Sequence, residues 1–318
     1  MLIDRRLIPQ FDLGLFMISV IIPLTGLTVL YSAGYDPSYD GFSLSWLDMT
    51  IRSQAFLKQI VFLALGLVAM AVAISISPST LGKYSYLLYG ACVLALLAVD
   101  IFGAVIKGSQ RWLDLGGFNI QPAEPTKLAL ILTLARYLSR NPPRHEYYTL
   151  REILIPLGII GFPFLLILIQ PDLGTSMMVL SVGSAMLLFV GIRIKTLLIL
   201  ILPILVGLYP AWNMLHDYQR RRIEVLINPE IDPKGSGYHI TQSKIAVGSG
   251  AVFGKGYMQG TQTQLEFLPE HTTDFIFSVL AEEWGFIGCI FILALYMILL
   301  YRILRVVQRS RDLFNALV

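Results

Sequence analysis

Glu270, His271 and Asp274 fall within five residues in the stretch Phe267-Leu-Pro-Glu-His-Thr-Thr-Asp-Phe-Ile-Phe277, where a long polar segment runs into an apolar one. Two carboxylates and an imidazole so spaced can take, give or stabilise a proton. Asp274 directly precedes Phe275-Ile-Phe277. Desolvation there would raise its pKa and make it a better base, so Asp274 is the candidate catalytic residue. Glu270 and Asp274 are also suited to interact with the start of the helix that follows. His271 suits a loop hydrogen bond as well as a proton transfer.

Further polar groups stand beside other apolar runs. Arg111 belongs to Lys107-Gly-Ser-Gln-Arg-Trp-Leu-Asp114, and Gln121, Glu124 and Lys127 to Gln121-Pro-Ala-Glu-Pro-Thr-Lys127. Glu124 and Lys127 share one helix face. Ionisable side chains at the edge of an apolar helix are costly and usually line a cavity, yet a plain pair beside the helix dipole would account for the same two residues. Gln170-Pro-Asp-Leu-Gly-Thr175 places Asp172 at a turn, where it would cap the next helix, serve a site, or do both. Tyr238-His-Ile-Thr-Gln-Ser-Lys244 and Gly248-Ser-Gly250 offer a cation, Lys244, and glycines that shape a turn or bring backbone N–H groups to an anion. Asp100, Glu282 and Glu283 lie inside apolar runs and suit either an intramembrane site or a helix-to-helix hydrogen bond. Arg220–Arg222 suit phosphate or lipid headgroups better than a plain solvated loop, since Arg favours bidentate phosphate binding. Carboxylates with Arg and Lys on one face fit a transferase acting on an anionic, lipid-linked substrate. A carboxylate base would work with a cationic or metal clamp on a phosphate leaving group. A divalent cation (Mg or Mn) is compatible with that chemistry, but no ligand set marks its place. Cys92 and Cys289 lie in apolar runs, and the four histidines (His145, His216, His239, His271) are scattered.

These residues must be positioned by membrane-spanning elements. The chain has 318 residues, 55% hydrophobic and 14% charged. A soluble domain is usually about 45–50% apolar and about 25% charged. The composition predicts an all-α polytopic membrane protein. The formal net charge of +3 is too small to argue for nucleic acid. Spans of roughly 20 apolar residues are predicted at Phe11–Tyr31, Ala55–Ile76, Tyr86–Ile106, Pro125–Leu138, Ile153–Ile169, Thr175–Val190, Thr196–Leu215 and Phe275–Leu304. The count is about eight. The fourth is short, and the last exceeds one span and would project into the cytoplasm. No small-residue cleavage site follows the first run, so it reads as a retained helix.

Placing the N-terminus inside puts Arg5, Arg6, Lys83, Arg136, Arg140, Arg144, Arg151, Arg193, Lys195, Arg302, Arg305, Arg309 and Arg311 in the cytoplasm. Only Arg52, Lys58, Lys107 and Arg111 remain in short outer loops, beside the acids Asp36, Asp40 and Asp48. The positive-inside rule then puts both termini inside. Residues 216–273 form a glycine-rich extracytoplasmic loop before the last helix, too long for a plain connection. Within it Tyr238–Val247 suits a short amphipathic helix or a re-entrant piece.

At these motifs the chain resembles the SEDS family (shape, elongation, division and sporulation proteins) of peptidoglycan glycosyltransferases. The likeness is carried by Lys107–Asp114, Gln121-Pro-Ala-Glu124, Gln170–Thr175, His216-Asp-Tyr-Gln219, Gly237-Tyr-His-Ile240, Gln242-Ser-Lys244, Gly260-Thr-Gln-Thr-Gln-Leu-Glu-Phe-Leu-Pro-Glu270, Thr273-Asp-Phe-Ile-Phe277 and Glu282-Glu283. It extends over nearly the whole chain as one membrane domain, 1–318. The wording of Gly260–Glu270 is closer to the elongation branch of the family than to its division branch.

The resemblance implies polymerisation of lipid II into β-1,4 glycan strands on the outer face of the cytoplasmic (inner) membrane, for elongation and rod shape, with undecaprenyl pyrophosphate leaving. Asp274 matches the family's essential aspartate. It would take the proton from the acceptor GlcNAc 4-hydroxyl as that oxygen attacks the MurNAc anomeric carbon. Glu124, Lys127 and Asp172 match polar positions lining the family's central cavity. Arg111 and Lys244 are candidates for the diphosphate, and Gln121, Gln170, Glu270 and His271 for supporting contacts. The implied partners are lipid II, membrane lipids and a class B penicillin-binding protein, a transpeptidase.

Two features depart from the family pattern. The family has about ten spans, and the last two are not in this sequence, which reads as a fragment, a split gene product or a truncated form. Ala123 stands where the family usually has Ser, and Pro125 is added in the first helical turn, where proline is tolerated. The same intramembrane acids would also suit a transporter (flippase) of lipid II, and the shortened chain would suit an inactive scaffold.

Overall fold

The computed structural model describes residues 12–36, 38–39, 41–44, 49–106, 109–114, 119–170, 172–214, 217–233, 235–265, 267–268, 270–310 and 312–318. Arg5, Arg6, Asp40, Asp48, Lys107, His216 and Arg311, which figure in the charge pattern and motifs above, lie outside the described residues. In chain order the elements begin with α1 (Leu13–Ala33), a hairpin of β1 (Phe42–Leu44) and β2 (Met49–Ile51), α2 (Gln54–Ser75) and α3 (Pro78–Phe102). A small antiparallel sheet follows, of β3 (Ala104–Ile106), β4 (Ser109–Asp114) and β5 (Asn119–Ile120) in that order. Then come α4 (Ala123–Arg140), α5 (Leu150–Ile169), α6 (Leu173–Val190), α7 (Ile194–Met214), α8 (Asp217–Ile227), a 3-10 turn at Pro229–Ile231, α9 (Ser236–Ser249), α10 (Thr261–Gln264), α11 (Ile276–Arg309) and α12 (Leu313–Leu317).

Helices therefore stand at each of the eight expected spans, and the chain is an all-α polytopic membrane protein. Among the described residues, α1, α2, α3, α5, α6 and α11 are long and apolar enough to cross a membrane. The two small sheets lie in connections and were not expected. The loop before the last span is itself built: α9 occupies the stretch expected to form a short helix. Two compact units are present, residues 1–75 with 210–305 (the first unit) and residues 76–209 with 306–318 (the second unit).

In the second unit, the short and charged α4 is the core helix. It buries Ala123, Thr126, Ala129, Leu130, Thr133, Leu134, Ala135 and Leu138. Small residues let helix backbones approach closely where lipid supplies no hydrophobic drive. The Thr133 hydroxyl donates to the Ser85 carbonyl of α3 at 3.0 Å. Leu96, Ile153, Ile160, Ile167 and Val179 complete this core. A helix enclosed in this way needs no continuous apolar surface, which is why α4 tolerates Glu124, Lys127, Arg136 and Arg140.

Between α4 and α5, the buried Tyr148 hydroxyl donates to the Asn141 carbonyl (2.8 Å) and the Leu138 carbonyl (3.3 Å). Burial, with lesser contributions from Glu152 and Tyr137, pushes its pKa up to about 12. The neutral hydroxyl is thus favoured in the folded state. Its stabilisation is present below the ordinary tyrosine pKa near 10 and is lost as pH rises from there toward about 12. Tyr148→Phe is expected to destabilise the protein by about 1–2 kcal/mol. Thermal unfolding in detergent at pH 7 measures this.

In the first unit the core is Val29, Ala33, Leu268, Val279 and Leu280. α11 was expected to be one overlong helix; it is two helices joined at a break. Gly285 has φ 66° and ψ −163°, a region essentially confined to glycine. The break frees the carbonyls of Glu282 and Glu283 and the N–H groups of Phe286 and Ile287. The segment 251–256 takes them all: Lys255 N to Glu282 O (2.9 Å), Gly256 N to Glu283 O (3.0 Å), Phe286 N to Ala251 O (3.0 Å) and Ile287 N to Val252 O (3.2 Å). Irregular backbone at membrane depth is tolerated where protein supplies such partners.

Candidate functional site

Six of the candidate residues lie in the second unit. β4 carries Arg111, the turn before α4 carries Gln121, and the α5–α6 turn carries Gln170 and Asp172. Asp172 is the hub. Its carboxylate accepts from Thr175 N (3.1 Å) and Thr175 Oγ1 (2.9 Å), which caps α6. It also accepts from Gln121 Nε2 (3.3 Å) and pairs with Arg111 Nη1 (3.6 Å). Arg111 Nε donates to the Gln170 carbonyl at 3.3 Å, and Gln170 Nε2 to the Leu96 carbonyl at 2.9 Å. Asp172 is therefore a helix cap and, in the same place, the anchor of a guanidinium. Glu124 and Lys127 form an ion pair of 2.9 Å on one face of α4, with the Glu124 side chain 60% exposed.

The first unit holds Lys244, Glu270, His271 and Asp274. Asp274 lies in the turn before α11 and is exposed. The expectation of a partly desolvated carboxylate is corrected here: Phe277 is itself 46% exposed, so the apolar triplet does not close over Asp274. Glu270 has φ 49°, and its carbonyl accepts from Thr273 N (3.1 Å) and Phe275 N (3.3 Å), which turns the chain into α11. His271 Nδ1 bonds the Leu268 carbonyl at 2.7 Å. Its ring faces a cavity of about 540 Å³ shared with Gly34, Tyr35, Asp36, Thr263 and Gln264. Ser38 donates from its hydroxyl and its N–H to Asp36 (2.6 and 2.8 Å), holding that carboxyl below its usual range. Lys244 is exposed on α9. α9 is fixed to the start of α11 by Ser243 Oγ and Ser278 Oγ, 2.7 Å apart, and by His239 edge-on to Phe275.

Beneath this turn lies a buried ionic group. Glu282 and Glu283 are 0% and 1% exposed. Glu282 Oε1 accepts from Lys255 Nζ (2.6 Å), Gln262 N (3.0 Å) and Thr261 Oγ1 (3.2 Å). The Ser32 hydroxyl of α1 donates to Glu283 Oε1, which makes Glu283 the helix-to-helix link that was one of its two readings. Lys255 was not singled out from sequence; a lone lysine in Gly254-Lys-Gly256 resembles any solvated turn. Removing one member of a buried pair costs about 3–5 kcal/mol. Lys255→Met is expected near the lower end, about 3 kcal/mol, because the Lys255 side chain is 27% exposed. The double substitution Lys255→Met/Glu282→Gln should recover most of that loss in thermal unfolding.

Two other candidates stand apart from these groups. Arg220 donates to the Trp212 carbonyl (2.8 Å) and the Asn213 carbonyl (2.6 Å), closing the end of α7, and Arg221 pairs with Asp232 at 3.6 Å. These contacts tie α8 to the end of α7 and to Asp232. Asp100 is exposed near the end of α3. Among the described residues no group of three His, Cys, Asp or Glu could hold a metal ion.

Residues 12–318 match the profile of the FtsW/RodA/SpoVE family, described as cell cycle protein. The chain is similar to peptidoglycan glycosyltransferase MrdB of Escherichia coli K12, 45% identical over 256 residues, covering 80% of this chain and 68% of that one. A solved structure described as "Structural coordination of polymerization and crosslinking by a peptidoglycan synthase complex" aligns with TM-score 0.75 and 30% identity, over 96% of this chain and 81% of that one. The crystal structure of rod shape determining protein RodA of Thermus thermophilus aligns with TM-score 0.65 and 28% identity, over 96% of this chain and 78% of that one.

Proposed function

This chain belongs to the FtsW/RodA/SpoVE family of cell cycle proteins, and from that premise we propose that it is a peptidoglycan glycosyltransferase that polymerises lipid II. The observation that carries the reading is the 45% identity to an enzyme of that name. Strands grow by β-1,4 linkage for cell elongation and rod shape. Asp274 takes the proton of the acceptor GlcNAc 4-hydroxyl. The oxygen bonds to the donor MurNAc anomeric carbon, and the bond from that carbon to undecaprenyl pyrophosphate breaks. The exposed position of Asp274 leaves it open to an incoming sugar, and substrate would supply the dry surroundings that strengthen a base. Lys244, exposed on α9, and Arg111, held by Asp172, are assigned to the departing diphosphate. Glu124, Lys127, Gln121, Gln170, Glu270 and His271 support the bound chains. A divalent cation (Mg or Mn), where the reaction uses one, would be held by the substrate diphosphate and one or two carboxylates, as Mg²⁺ usually is.

The protein is a multi-pass membrane protein. The basic bias of the predicted inner segments supports a cytoplasmic-membrane location, both termini inside and chemistry on the outer face. The likeness to a peptidoglycan synthase complex supports pairing with a class B penicillin-binding protein. The test is polymerisation of purified lipid II, with and without that transpeptidase, read as glycan length on gels. Glycan made by the purified chain supports the assignment. The break in α11 favours a second reading, since discontinuous helices also build transporter sites. Lipid II crossing vesicle bilayers without polymer from either preparation would replace the first reading by the second.

A further inference from the structure

A second cavity, of about 470 Å³, opens at the end of the second unit where α3 begins and α4 ends. Ser79, Arg136, Ser139, Arg140, Asp312 and Asn315 line it, over an apolar floor that includes Phe314. Phe314 is buried against α3, close enough that a Cβ at Gly82 would touch its ring at 3.3 Å.

Arg136 and Arg140 are one turn apart in the last turns of α4. Like charges at that spacing repel. The negative end of the helix dipole offsets part of this, but neither guanidinium pairs with a described carboxylate. Asp312 shares the cavity and lies outside ion-pair distance of both. The opposite wall is the first turn of α3. There the Ser77 hydroxyl caps Thr80 N–H, Pro78 has no N–H, and the Ser79 N–H has no described acceptor. Two arginines and the residue with the free helix-start N–H line one open cavity, a set of donors suited to a tetrahedral anion.

We propose that this cavity binds the phosphate of an anionic phospholipid headgroup of the phosphatidylglycerol type. The volume suits a phosphate with a glycerol on it. Beside the cavity, α3 turns Tyr84, Tyr86 and Leu87 outward, at 47%, 47% and 69% exposure, so acyl chains would have apolar surface to lie on. The positive-inside pattern puts this end at the cytoplasmic leaflet, where basic pockets between helices take anionic headgroups. The site is independent of the glycosyltransferase reading.

The test titrates the full chain, in neutral detergent, with dioctanoyl phosphatidylglycerol, dioctanoyl phosphatidylcholine and inorganic phosphate, reading bound mass by native mass spectrometry and the melting temperature. Phosphatidylglycerol should bind and raise the melting temperature, and phosphatidylcholine should do neither. Arg136→Gln/Arg140→Gln should weaken phosphatidylglycerol binding about thirty-fold, from the worth of each basic side chain near an anionic surface. Arg193→Gln, elsewhere in the unit, should leave it unchanged. Helical content by circular dichroism checks the fold of the double variant, and Arg140→Gln alone, at an exposed residue, gives a milder case expected to lose about five-fold. Equal phosphatidylglycerol binding by wild type and the double variant overturns the proposal. Inorganic phosphate that stabilises as strongly as the lipid and displaces it would show an anion site whose ligand is soluble, which overturns the lipid assignment.

Discussion

Asp274→Ala is expected to abolish glycan polymerisation by the purified protein while leaving it folded. General acid–base groups contribute typically about 10²–10⁴-fold to turnover, and that range is the expected loss. The carboxylate is exposed, so it contributes little packing, and a surface substitution changes stability by about 0.5 kcal/mol or less. The two readouts therefore separate: turnover collapses and the melting temperature holds. Asp274→Glu, which keeps a carboxylate but moves it, should recover part of the rate, and Asp274→Asn none of it. Glu270→Gly is the neighbouring control. Its backbone sits at φ 49°, where glycine is at ease, so the turn should persist and polymerisation should fall far less. Glycan made by Asp274→Ala at the wild-type rate would remove the base assignment and leave the family assignment standing.

Much of this architecture was legible because it follows from length and period. Eight apolar runs gave eight helices, and Asp172 followed three residues later by Thr175 gave a cap that the structure contains. The cap reading and the site reading of Asp172 turned out to be compatible, since the same carboxylate also holds Arg111. What sequence left hidden depends on contacts between distant segments. Arg220 also closes the end of α7, through carbonyls whose position a sequence does not display. Asp274 looked half-dry because its neighbours are aromatic, yet apolar neighbours in sequence dry a group only if they pack over it. Glu282 showed itself as an intramembrane acid; its cation, Lys255, is 27 residues away in a glycine-rich turn. Glycine-rich stretches read as flexible loops. Here Gly250 and Gly254 are close-packed, since a Cβ at either would collide with the carbonyl oxygen of Ala281 or Glu283.

Gly285→Val is expected to prevent stable folding of the first unit. The φ of 66° and ψ of −163° lie outside what a β-branched residue adopts, at a cost of about 1–3 kcal/mol. The added side chain also meets Gly254 N and the Val252 carbonyl, so the segment 251–256 must withdraw. Withdrawal breaks the four backbone hydrogen bonds that bridge the break, at about 1 kcal/mol each. It also draws Lys255 away from Glu282, leaving a buried carboxylate without its cation. The total, about 5 kcal/mol or more, is comparable with the whole stability of many domains. The measurement is yield of monodisperse protein and protection of residues 251–256 and 282–287 from hydrogen exchange. Gly66→Val tests whether any valine in an apolar helix does the same: a Cβ at Gly66 meets nothing within 4 Å, so that variant should behave as wild type. If Gly285→Val folds with the segment 251–256 still protected, the break in α11 is not what holds that segment. The turn bearing Asp274 would then owe its position to the Ser243–Ser278 contact and the packing of α9 alone.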